Sequence, residues 1–220
     1  MIINFSLSHQ NGTTTLSLLP IAVVIVGMLV GITLYGQVWF FDENGFSIVT
    51  KTTPYWDFNN LWSGSRMALD GHVNWLFDAD LYREELRRRI HPEIPNHEWS
   101  YPPSLLLIGA PLALLPEFSA YILWTLATIG LLFMAVRSLE LPKHITLAIV
   151  LCPAVFINAA YGQNGALTAG LLIAGLSLAR KKPVLAGICF GVLTIKPQLG
   201  VLIPFFLLAS GNWRAIISAG

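Results

Sequence analysis

The sequence predicts an all-α, polytopic integral membrane protein with one long polar segment set between its first apolar run and the rest. Hydrophobic residues make up 55% of the 220 and charged residues 11%, well below the quarter or so that soluble domains carry. Apolar runs occupy 18–41, 104–115, 119–136, 145–160, 163–179, 184–195 and 199–210. Between Asp42 and Pro103 lie ten of the twelve carboxylates, so any acid or base chemistry is expected from that segment.

In chain order, residues 1–17 read as an N-terminal tail without the Lys/Arg of a secretory leader. The run 18–41 is longer than a leader's apolar core of roughly 7–15 residues. It is long enough to cross a hydrocarbon core of about 30 Å as the first transmembrane helix. Residues 42–103 form a loop with two amphipathic helices. Phe58, Leu61, Trp62, Ser65 and Leu69 fall on one helical stripe, which suits a helix lying in the membrane interface, with Asp57 capping its start. A second helix, about Asp80 to Ile90, aligns Tyr82, Leu86 and Ile90 and offers Glu84 to Arg88 and Glu85 to Arg89 pairs at i, i+4. It reads as a solvated scaffold.

Residues 104–220 hold the remaining membrane helices, and the last stretch, Trp213 to Gly220, resembles the beginning of another helix in a longer protein. The run 104–115 is too short to span. Cytoplasmic connections collect Lys and Arg, and Arg137 with Lys143, Arg180 to Lys182, and Arg214 mark three such connections. One threading satisfies all three. The first helix runs outward, 42–103 is extracytoplasmic, 104–115 is half-inserted, 119–136 returns, 145–160 goes out and 163–179 comes back. The runs 184–195 and 199–210 form a hairpin with its apex outward. Asp57, Tyr101, Gln163, Lys196 and Gln198 then share the outer face.

Asp57, flanked by Tyr55, Trp56 and Phe58, has an apolar setting that makes a carboxylate a better base. The helix-cap reading stands beside this one, and the two can coexist. Lys196 breaks an apolar hairpin with a charge that a membrane tolerates only when paired or facing a cavity or water. It is a candidate anion contact, or else a side chain reaching for the headgroups. Gln163 and Asn164, between two glycines, suit an anion or a sugar hydroxyl at a helix start, or a plain turn. Tyr101, before Pro102-Pro103, fixes an extended approach to the half-helix.

Several function classes are excluded. His72, His91 and His97 lack metal-ligand spacing, so no metal site is expected. No phosphate loop or serine elbow occurs. No nucleic-acid partner is expected, since the Arg87 to Arg89 run is balanced by its own acids. Cys152 and Cys189 lie in apolar runs and read as small buried hydrophobes.

The ordered set Asp57-Phe58, Gly71, Leu76-Phe77-Asp78, Tyr101-Pro102-Pro103, Gly162-Gln163 and Lys196-Pro197-Gln198 resembles glycosyltransferase family 87, over roughly Pro54 to the chain end. The resemblance implies a GT-C-type helix bundle in the plasma (bacterial inner) membrane and no cofactor. It implies a polyprenyl-phosphate sugar donor, with mannose or another hexose, and a glycolipid or glycan acceptor. Transfer would invert the anomeric centre on the extracytoplasmic side. Asp57 matches the aspartate that deprotonates the acceptor hydroxyl. Lys196, Gln163, Tyr101 and Gln198 fall to the donor side. The sequence departs from the family at Asn59-Asn60 and in an arginine-rich insert before Tyr101. A transporter or flippase of a polyprenyl-linked sugar, or a non-catalytic scaffold subunit, are the alternatives.

Overall fold

The computed structural model describes residues 18–220, so the expected N-terminal tail lies outside the described residues. The described residues fold as helices, with one isolated bridge between Phe41 and Ser47. In order these are α1 (Leu18–Gln37), α2 (Trp56–Leu69), α3 (Ala79–Arg89), α4 (Leu106–Ala113), α5 (Glu117–Arg137) and α6 (Lys143–Val150). There follow α7 (Pro153–Tyr161), α8 (Gly165–Leu178), α9 (Pro183–Val192), α10 (Pro197–Gly200), α11 (Ile203–Ala209) and α12 (Trp213–Ala219).

Among the described residues two stretches are long and apolar enough to cross a membrane, Glu117–Arg137 and Lys143–Tyr161. The first starts behind Pro116 with Glu117 in its first turn and Arg137 in its last, charges that complement the helix dipole. The second is broken at Cys152, which takes an extended ψ of 154° because a residue before proline is driven out of the helical region. Gly165–Leu178, Pro183–Ile195 and Pro197–Ala209 are apolar but shorter. The 14 residues of α8 extend about 21 Å. The expected half-inserted piece at 104–115 is a short helix behind a 3-10 turn at Pro103–Leu105.

The bundle is a chain of neighbours: α1 lies on α6 and α7, α5 on α8, α8 on α9, and α9 on α12. The expected hairpin of 184–195 with 199–210 is corrected here. α9 packs along α8 and α12, and α11 joins the shared core through Ile203 and Leu207. The reason is a small-residue face. A Cβ on Gly187 would lie 2.4 Å from the Ala215 carbonyl oxygen, and one on Gly191 2.7 Å from that of Ala219. Glycines four apart allow backbones this close, and the larger faces of α11 do not.

The cationic connections gather at one end. Ser138 Oγ at the end of α5 stands 3.5 Å from Ser177 Oγ near the end of α8, and Asn212 Nδ2 donates to the Ala179 carbonyl at 2.6 Å. Arg137, Lys143, Arg180 to Lys182 and Arg214 therefore cluster away from the end that carries α2 and α4.

Two expectations for the loop are revised. α2 does not lie on the surface with one apolar stripe: Phe58, Asn59, Asn60, Leu61, Ser63, Gly64, Ser65 and Met67 are all buried. Its apolar side meets α4 and its polar side closes the loop. Asn59 Nδ2 donates to Thr53 Oγ1 at 2.7 Å, Asn60 Nδ2 to the Glu98 carbonyl at 3.2 Å, and the Tyr82 hydroxyl to Asn60 Oδ1. The large apolar side chains left exposed are Leu69 at the end of α2 and Val73 and Phe77 just beyond it. α3 is a packed element, with Tyr82, Leu86 and Glu85 buried, and not a solvated one. Its start is capped by Asp78, whose carboxylate accepts from the Asp80 and Leu81 amides. The Glu85 to Arg89 pair forms at 2.5 Å, but Arg88 also turns to Glu85 rather than to Glu84, because the buried carboxylate attracts both guanidinium groups. Arg89 continues to Asp70 at 2.7 Å, tying α3 to the end of α2.

Candidate functional site

Asp57 is not the cap of α2. Tyr55 holds that position in a left-handed conformation, φ 42°, and Asp57 sits in the first turn with its carboxylate turned outward. Its Oδ2 accepts a hydrogen bond of 2.8 Å from Gln163 Nε2. Among the described residues Oδ1 has no protein partner.

This pairing bridges 106 residues of chain, and the turn that makes it is tightly determined. Gly162 ends α7 at φ +67°. The Gly162 amide bonds back to the Ala159 carbonyl and the Gln163 amide to that of Asn158, the pattern of a glycine-closed helix end. A Cβ on Gly162 would lie 2.4 Å from Phe58 Cβ, so glycine is needed for its backbone angle and for the approach of α2. The Trp124 indole donates to the Gly162 carbonyl at 3.1 Å, the Tyr121 hydroxyl to that of Ala159 at 2.9 Å, and the Tyr55 amide to that of Ala160 at 3.1 Å. The Tyr55 and Tyr121 rings stack at 4.3 Å. Gln163 itself is exposed, while Asn164 beside it is buried. The helix start that follows is partly occupied, because Asn158 Oδ1 accepts from the Ala166 amide at 3.1 Å.

The remaining candidates flank one apolar cluster. Phe58, Leu61, Leu105, Ala120, Tyr121, Trp124 and Ile195 form its buried part, with Tyr101 against it. Asp57 precedes Phe58 and Lys196 follows Ile195, so Asp57, Tyr101 and Lys196 are brought to the same end of the molecule by one core. Lys196 is half-buried in an extended conformation, φ −131°, ψ 81°, between two short helical turns. Among the described residues it has no ion-pair partner. Gln198 is exposed one turn beyond, in α10, and makes no hydrogen bond to the others. Burial pushes the Tyr101 hydroxyl well above the usual phenol range, and the charge of Asp57 adds to that shift.

His97, which the sequence raises only as a metal ligand and excludes on spacing, belongs to the same neighbourhood. It stacks on Trp56, centroids 4.4 Å apart and planes at 13°, and its Nε2 lies 3.3 Å from Asn60 Nδ2. With Asn60 Oδ1 taken by Tyr82, the Asn60 amide group faces His97 as a donor, so Nε2 is the acceptor of a neutral ring. Burial holds the His97 pKa below the ordinary imidazole range, although the charges of Asp57 and Glu98 pull the other way. The contact partners lie about forty residues away in sequence, and no local pattern announces them.

The helices thus bring a carboxylate and a cation to the flanks of one aromatic cluster, at the end opposite the cationic connections. Residues 99–220 match the family model for glycosyltransferase family 87, more than half of the chain. The protein belongs to this family and is a membrane glycosyltransferase, with a sugar donor and an acceptor as its substrates. The match includes Tyr101, Gln163, Lys196 and Gln198 but begins beyond Asp57, so Asp57 is tied to the family region by its bond to Gln163. No curated protein and no solved structure matches the chain.

Proposed function

We propose that this chain carries the donor and base side of a GT-C-type glycosyltransferase, in a multi-pass bundle of the plasma membrane of a bacterium. It transfers a hexose, mannose in the first instance, from polyprenyl phosphate to a hydroxyl of a glycolipid or glycan. The observation that carries this reading is the 2.8 Å bond from Gln163 to Asp57. It orients the carboxylate and leaves Oδ1 for an incoming hydroxyl, the geometry that general-base catalysis requires.

In the proposed step the acceptor oxygen attacks the anomeric carbon while Asp57 takes its proton. The bond from that carbon to the phosphate oxygen breaks on the opposite face, the centre inverts, and polyprenyl phosphate leaves as the anion. Lys196, a cation without a protein partner, suits the growing phosphate charge. Tyr101 and Gln198 complete the donor side, Tyr101 as a neutral hydroxyl donor. The gathering of Lys and Arg at the far end supports an extracytoplasmic site.

The reaction is tested by supplying membranes that contain the protein with radiolabelled polyprenyl-phosphate mannose and a glycolipid acceptor. The proposal expects a new glycosidic bond and released polyprenyl phosphate. Label that crosses the bilayer still attached to its lipid, with no new bond, would identify a flippase and contradict it.

A further inference from the structure

We infer that the cleft between the ends of α5 and α6 holds the phosphate headgroup of an anionic phospholipid, as a site separate from the Asp57 end. The cleft has a volume of about 490 Å³ and is lined by Phe133, Arg137, Glu140, Leu141, Lys143, Thr146 and Leu147. Arg137 is the last residue of α5 and Lys143 the first of α6, and these two helices open the stretches long and apolar enough to cross a membrane. Where two such spans end together, the headgroup layer lies at the same level. Among the described residues neither Arg137 nor Lys143 has an ion-pair partner.

The chemistry of the walls selects the occupant. Two cations against the single carboxylate of Glu140 leave a net positive rim, which favours a phosphodiester without a compensating ammonium; basic pockets at helix ends recognise lipid phosphates in this way. Thr146 adds a hydroxyl donor. Phe133, Leu141 and Leu147 are apolar and exposed, a surface for acyl chains and not for a free ion. Glu140 is one of the few non-glycine residues at positive φ, 55°. That conformation is uncommon for a residue with a side chain, and it falls in the connection whose two ends carry Arg137 and Lys143. The inference rests on the membrane character of the chain and not on the transfer reaction.

The test is thermal unfolding of the purified protein in neutral detergent with phosphatidylglycerol, phosphatidylcholine or inorganic phosphate added. Ligand that binds the native state raises Tm with concentration. Phosphatidylglycerol is expected to raise Tm, and the other two to leave it in place. The double variant Arg137→Gln/Lys143→Gln loses the shift, while Arg180→Gln/Lys181→Gln, changed outside the cleft, keeps it. Leu147→Trp narrows the cleft without changing charge and also weakens the shift. An equal shift with inorganic phosphate, or a phosphatidylglycerol shift that persists in both cleft variants, overturns the inference.

Discussion

At Asp57 a single hydrogen bond decides what the carboxylate can do, because Gln163 commits Oδ2 and leaves Oδ1 unpartnered among the described residues. Lys196 tests the donor half of the site. A lysine that only reaches the headgroups can be replaced by methionine without loss of activity. One that holds the donor phosphate cannot: Lys196→Met should raise the KM for the lipid donor and slow transfer, and Lys196→Arg should keep part of both because the charge persists in another geometry. Equal donor saturation curves for wild type and Lys196→Met would remove it from the site. The loop also carries a pH signature. His97 is held neutral in the fold, so the unfolded segment binds its proton more readily and stability rises with pH. This contribution is complete above about 6.5 and is lost as pH falls toward the lowered value. Glu85 has the same sign at lower pH, since its bonds to Arg88 and Arg89 depress its pKa below 4.5. Melting curves should therefore show stability lost as pH falls below about 6.5, with less of that loss in His97→Gln. A loss unchanged in that variant would contradict the assignment.

Helix ends, more than helix bodies, position this site. Gly162 and Gly71 both have positive φ, +67° and +86°, but a Cβ on Gly71 meets open space while one on Gly162 meets Phe58. Gly71→Ala should cost only the backbone term, about 1–2 kcal/mol. Gly162→Ala should cost more and also reduce transfer, because α2 must move away from Gln163. Similar Tm losses with intact activity in both would show that the close approach is unimportant. These ends also explain what was legible in the sequence. The helical runs, the short piece at 104–115 and the cationic connections follow from hydropathy and charge. The burial of α2 does not, since Asn59, Asn60 and Ser63 look like a solvated face until Thr53, Tyr82 and Glu98 arrive from elsewhere in the chain. Asp57 has the composition of a cap but loses that role to Tyr55, whose amide is drawn to Ala160. The partner of α9 depends on Gly187 and Gly191 meeting Ala215 and Ala219, small-residue complementarity that hydropathy does not register.

The whole molecule has two chemically different ends, with Asp57, Gln163 and Lys196 at one and Arg137, Lys143 and Arg180 to Lys182 at the other. Single cysteines in a background lacking Cys152 and Cys189 should label from outside at positions 57, 163 and 198 and stay protected at 181. External labelling at 181 would reverse the proposed sidedness. The central claim is that the first of these ends performs glycosyl transfer with Asp57 as base. Its most direct test is the rate of sugar transfer from polyprenyl-phosphate mannose by Asp57→Asn and wild type at matched expression in membranes. Asparagine keeps the size of the side chain and can still bond to Gln163 through its carbonyl, but it cannot take a proton. The account predicts a fall of about 10²–10⁴-fold with the protein still folded; activity close to that of wild type would contradict it.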